Sequence, residues 1–265
     1  MWSCLPCFAD RLANKLWSPH ADLKGTGKHT TAARISSLAG RQRGAKPFRT
    51  FLGLRVQSVY PTGQALPLCR GRLHLLEAIA LSCALLFCWT EALTTFVGGK
   101  FLCCAASAQL HLRPHRTHRE MAFCHALDEA CIMLSVLSGY IHYLPADERC
   151  FHLQFGAGVA AAEFVIVCLA NEAELRGQKH MYLLLTLLKN TVGFLFFITA
   201  CTYSERPLGV LAALVYFVGG LLFLTGPTLP WNDEATWSSH EDMHVLILIG
   251  DLMSFANLWN IGLLP

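Results

Sequence analysis

Charge is scarce in this chain. Only 15% of its 265 residues are Asp, Glu, Lys or Arg, where a soluble domain carries about a quarter. That shortage, with 54% hydrophobic residues and a positive mean hydropathy, argues against a soluble globular protein. Acidic residues are nearly missing from the first 73 positions. Asp10 and Asp22 stand there against twelve Lys and Arg, which leaves nine basic and sixteen acidic residues for the rest. The same segment lacks any sustained hydrophobic period, so 1–73 is expected to be basic and mostly disordered. An anionic-lipid contact or an organelle transit peptide are its other readings. It also lacks interleaved aromatics or a recognised motif, so no nucleic-acid partner is expected. No apolar stretch follows the first residues, so no secretory signal is expected there. Cys4 and Cys7 form a C-x-x-C with no second pair and no βαβ context, which argues against zinc or redox chemistry at that pair. Seven of the twelve cysteines (Cys83, Cys88, Cys103, Cys104, Cys131, Cys168 and Cys201) lie in apolar runs and are expected to be thiols inside membrane helices.

From about Leu73 long apolar runs dominate. They cover 74–97, 127–144, 151–170, 181–203, 208–224 and 240–264, with a shorter piece, 101–110, after Gly98-Gly99-Lys100. The runs are continuous, whereas a membrane barrel needs alternation in ten-residue strands. The expected fold is therefore all-α, a polytopic bundle of six to seven transmembrane helices over 74–265. Linkers are short, so successive helices should be antiparallel neighbours.

Ionisable residues inside such spans are costly and usually face the bundle interior. Glu77, Glu129, Glu241 and Asp242 stand near span ends, where snorkelling or an interfacial position explains them. Glu163 and Lys189 lie deeper and are expected to pair with each other. His240 and His244 are more informative, because residues four apart share one helix face. Asp128 opens another span, and the chain crosses the membrane four times between it and His240. An even number of crossings puts both on one side. Ser107 and His111 precede Asp128 at the same side, so Ser107, His111, Asp128, His240 and His244 can meet at one membrane face.

Three neutral imidazoles make a tetrahedral Zn²⁺ site with one position open to water. Zinc lowers the pKa of such a water toward ~7. A carboxylate can carry the proton to a leaving group, and a serine hydroxyl can hydrogen-bond an oxyanion. Those parts would hydrolyse an amide or ester. An entrance in the membrane plane makes a lipid the natural substrate.

The residues Ser107-Ala-Gln-Leu-His111, Asp128 and His240-Glu-Asp-Met-His244 resemble a superfamily of seven-helix membrane proteins. It includes alkaline ceramidases, progestin/adiponectin-receptor-like proteins and hemolysin III-type proteins. Leu127-Asp128-Glu129 is similar to the ceramidase form. Leu127-Asp128-x-Ala130-x-Ile132 and Ser138-Gly139-Tyr140 are similar to the receptor-like and hemolysin forms. The resemblance covers roughly 74–264. It implies zinc ligation by His111, His240 and His244, with Ser107 and Asp128 in catalysis or metal support. His115, His118 and His125 compete with His111 for the third ligand position.

The expected function is a zinc-dependent membrane hydrolase cleaving a ceramide-like lipid amide. The alternative is a non-catalytic receptor-like or structural protein on the same scaffold. A transporter reading draws on Glu163, Lys189 and Asp251, but no clear internal repeat supports it. The expected location is an endomembrane, endoplasmic reticulum or Golgi, with the plasma membrane as the other option. The basic tail argues for a cytosolic N-terminus. Protein partners are not indicated.

Overall fold

The computed structural model describes residues 48–51, 54–57, 69–87, 90–115, 117–202, 207–225 and 237–260. Residues 1–47, with the Cys4/Cys7 pair, and the Pro/Trp/acidic loop at 226–236 lie outside the described residues. Within the basic segment, β1 (Phe48–Phe51) and β2 (Leu54–Gln57) form a short antiparallel pair, with Phe48 opposite Gln57. The pattern there gives no expectation of a strand. Seven helices follow among the described residues. They are α1 (Arg72–Leu85), α2 (Glu91–Leu112), α3 (His118–Tyr140), α4 (Ala146–Leu175), α5 (Lys179–Thr202), α6 (Pro207–Thr225) and α7 (Ser239–Asn260). A turn of 3₁₀ helix, Ile141–Tyr143, extends α3.

The helices begin and end where local chemistry directs. Thr90 caps α2 by accepting from the Leu93 N–H at 3.2 Å, and Thr117 caps α3 by accepting from Glu120 at 3.1 Å. Each cap satisfies one N–H that the first turn leaves without an intrahelical partner. At the end of α4, Gly177 takes φ +70°, while Gln178 N–H bonds Ala173 C=O at 2.8 Å and Gly177 N–H bonds Glu174 C=O at 2.9 Å. That paired closure needs a left-handed residue, which glycine supplies without a Cβ clash.

The first expected span is divided differently from the sequence reading. The break falls at 86–90, and α2 runs unbroken through Gly98-Gly99-Lys100 and the apolar piece 101–110. Glycine here serves contact instead of a turn. A Cβ on Gly99 would stand 2.2 Å from Ser138 Oγ, so its hydrogen lets α2 and α3 approach closely. Gly250 does the same for α6 and α7, where a Cβ would meet the Tyr216 ring at 2.6 Å.

Helices α1 to α5 pack in sequence order and α6 packs along α7, whereas α5 and α6 barely touch despite the short connection between them. One apolar core joins α3, α4 and α5 through Met133, Leu137, Tyr140, Leu144, Ala160 and Phe196. The last helix closes back on α2 and runs antiparallel to it. His240 lies beside His111, Asp251 pairs with Lys100 at 2.6 Å, and Leu258 packs on Phe96 and Val97. The register is consistent, since His240 to Asp251 and His111 to Lys100 are both eleven residues, about 16 Å of helix.

Polar residues turn inward and apolar ones outward. Lys100, Glu163, Asp251 and Asn257 are buried, while Leu184, Leu195, Leu214, Phe217 and Leu252 are exposed. A soluble monomer rarely shows so much contiguous apolar surface. Among the described residues, three segments are long and apolar enough to cross a membrane: His118–Tyr143, Ala146–Leu175 and Lys179–Thr199. The expected Glu163–Lys189 pair is replaced. Lys189 Nζ bonds Glu129 Oε1 at 2.7 Å, and Glu163 Oε2 is buried without a hydrogen-bond partner among the described residues. Lys189 is drawn to the carboxylate on the facing α3.

Replacing Gly99 with Ala should destabilise the protein by about 1–3 kcal/mol through overpacking. Thermal unfolding in detergent should show the loss, and adding Ser138→Gly should restore most of it.

Candidate metal centre

Four histidines come together where α1 and α7 begin and α2 ends. His74 Nε2 and His244 Nε2 are 2.9 Å apart, with ring centroids at 3.9 Å. His240 and His244 rings stand at 4.5 Å, as one helical turn dictates, and His111 meets His240 edge-on at 5.2 Å. His74 and His111 stack at 6.2 Å. Ligand atoms of His74, His240 and His244 all lie within 4.8 Å of one another. His74 and His111 are buried.

The start of α7 is fixed by its own sequence. Ser238-Ser239-His240-Glu241 forms a capping box, in which Glu241 Oε2 accepts the Ser238 N–H at 2.8 Å and Ser238 Oγ accepts the His240 N–H at 3.3 Å. The Ser238 hydroxyl also donates to Glu241. Arg70 then locks this cap to the start of α1. Its Nε lies 2.6 Å from Glu241 Oε1 and its Nη2 donates to Ser238 Oγ at 3.1 Å. Glu241 is 1% exposed, so it is a buried structural anion and not the interfacial carboxylate expected. Asp242 accepts from Trp237 Nε1 at 2.8 Å. Gly71, at φ +75°, completes the junction: a Cβ there would lie 2.6 Å from His111 Cβ.

One turn below His111 on the same face of α2, Ser107 Oγ donates to Asp128 Oδ1 at 2.5 Å. Both residues are buried. Ser107 and Asp128 are thus brought together, and His111, His240 and His244 are brought together above them. Among the competitors for the third ligand, His115 Nε2 bonds the Leu110 carbonyl at 2.8 Å, and His125 faces Asn171 and Glu129. His118 is exposed at the start of α3. None of the three is in the cluster.

His74 is the residue that sequence reasoning misses. The signal was available: it stands at the mouth of an apolar run, and with the break placed at 86–90 the next helix returns the chain to the same end at His111. With the break at Gly98 that return is hidden.

The cluster fits a metal ion by two tests. Two imidazole nitrogens on one tetrahedral Zn²⁺ lie about 3.3 Å apart, given Zn–N of ~2.0–2.1 Å, close to the 2.9 Å between His74 and His244. His111 Nδ1 is buried with no hydrogen-bond partner among the described residues, and an unpartnered buried nitrogen is costly unless something binds it. A second, mixed group lies one turn down α1, where His74, Glu77 and Cys104 also approach one another. Beside the histidines, a groove of about 570 Å³ runs between α1 and α2, lined by Leu75, Ala78, Ile79, Phe101, Ala105 and Ala108 among others.

No known family's sequence profile matches the chain, and no curated protein matches it.

Arg70→Ala should cost about 3 kcal/mol, because it strands the buried Glu241 carboxylate. The double variant Arg70→Ala/Glu241→Gln should recover part of that loss in the same thermal unfolding assay.

Proposed function

We propose that this protein is a multi-pass membrane metal hydrolase of the ceramidase/receptor-like/hemolysin III superfamily, acting on a ceramide-like lipid amide in an endomembrane. The observation that carries this reading is the histidine cluster set above a hydrogen-bonded, buried Ser107–Asp128 pair. In this reading α2 to α7 cross the bilayer. Helix α1 has 14 residues, about 21 Å, and reaches only part of the way across a hydrocarbon core of ~30 Å.

His240 and His244 would hold Zn²⁺ with His111 or His74, and the metal when bound would supply a water acidic enough to act as nucleophile near neutral pH. Asp128 takes a proton from the attacking water and delivers it to the leaving amine. Ser107, whose hydrogen is committed to Asp128, orients that carboxylate. Acyl chains lie in the apolar groove between α1 and α2, whose lining includes Leu75 and Leu112, the chain neighbours of His74 and His111. The apolar walls favour acyl chains and leave the amide as the polar group near the histidines.

A second reading, a non-catalytic receptor-like or structural protein, is favoured by one feature. Four imidazoles suffice to fill a tetrahedral metal without any water, as in structural sites.

Purified full-length protein should carry stoichiometric zinc and release fatty acid from ceramide. His240→Ala/His244→Ala should lose both. Asp128→Asn should retain zinc while turnover falls ~10²- to 10⁴-fold, the range for a lost general acid/base. Zinc without hydrolysis across a panel of sphingolipids and acyl lipids would favour the second reading.

A further inference from the structure

We infer that His74 is a fourth imidazole ligand, occupying the position that a three-histidine site leaves open to water. This assignment rests on the metal-centre reading above and goes beyond it, because the pattern shared with the superfamily contains no residue at this position.

Geometry ranks His74 ahead of His111. His74, His240 and His244 form the close group of ligand atoms, and His74 Nε2 faces His244 Nε2 directly at 2.9 Å. Two neutral imidazoles can share one hydrogen at that distance, and when both rings carry their proton on Nδ1 the two Nε2 atoms are free to bind one metal at a separation only a few tenths of an ångström wider. His111 joins from the other side, edge-on to His240 at 5.2 Å and stacked on His74 at 6.2 Å. Its buried, unpartnered Nδ1 is the remaining donor atom.

His74 is also delivered by a dedicated junction. Four residues before it, Arg70 is clamped to Glu241 and Ser238 on α7. Three residues before it, Gly71 takes a left-handed turn that lets the backbone press on His111. These two anchors reach both helices that carry the other histidines. They fix the first turn of α1, and His74 is the side chain this turn aims inward. An ordinary packed helix start needs no such arginine clamp on a buried carboxylate.

Four imidazoles complete a tetrahedral shell, and closed shells are the mark of structural sites. In this arrangement the centre is closed, and a substrate carbonyl or water takes a metal position only by displacing the His74 side chain, with the anchored first turn of α1 staying in place. The neighbouring Glu77 and Cys104 do not take part while His74 faces α7.

Cobalt substitution of the full-length protein in detergent tests this through the visible spectrum. The wild type should bind one Co²⁺, show a tetrahedral spectrum without a thiolate charge-transfer band, and stay unchanged on adding azide. His74→Ala should keep one equivalent of Co²⁺ and become azide-responsive. Its affinity should fall by more than the ~10- to 100-fold typical of losing an outer-shell partner. His74→Cys should bind Co²⁺ with a new thiolate charge-transfer band, which requires the side chain at position 74 to touch the metal. That band keeps the test decisive where the alanine variant folds poorly. A wild-type spectrum that responds to azide, or a His74→Ala centre identical to it, overturns the assignment alone. A thiolate band in the wild type also overturns it, because the metal then sits with Glu77 and Cys104. A wild type that binds no cobalt removes the metal reading and this assignment together.

Discussion

The arrangement of the whole histidine end depends on one buried ion pair, Arg70 with Glu241. It ties the start of the first helix to the start of the last, across about 170 residues of chain. Glu241 is also the far half of the α7 capping box, so a single carboxylate ends one problem of unpaired N–H groups and begins another contact. An ion pair in so dry a place is not a large net source of stability, since desolvation offsets much of its attraction. Its value is specificity. With Glu241 buried, α1 has one register against α7, and in that register His74 meets His244.

The rest of the bundle supports the same end. Lys100 and Asp251 repeat the device one level deeper, where Tyr216 donates to Asp251 and brings α6 into the pair. Gly99 and Gly250 let backbones approach where side chains would hold them apart. In a chain whose outer surface is apolar, burial of oily groups adds little to helix association, so close packing and interior polar contacts must carry it. That is the pattern along α2 and α7: a polar contact, a small residue and an apolar contact in succession.

Much of this was legible from residue spacing. Two histidines four apart at a helix mouth had to share a face, and counting apolar runs sent Asp128 and His111 toward their end, where His111 lies beside His240 and Asp128 meets Ser107. Ser107, four residues before His111, had to point the same way, and it does meet Asp128. What was not legible came from residues with two meanings. Gly98-Gly99-Lys100 has the composition of a break, yet Gly99 is a contact glycine and Lys100 a buried cation, which only the facing Ser138 and Asp251 reveal. Misplacing that break hid His74. Lys189 had two carboxylates within reach, and sequence distance gives no reason to choose Glu129 over Glu163. Arg70 reads as one more charge in a basic tail until Glu241 stands opposite it.

The central claim is that residues from three helices share one metal ion. X-ray absorption at the zinc edge of the purified full-length protein measures that shell directly. The account predicts one zinc surrounded by four imidazole nitrogens at ~2.0 Å, with no sulfur. Absence of bound zinc, or a shell containing a thiolate, would contradict it.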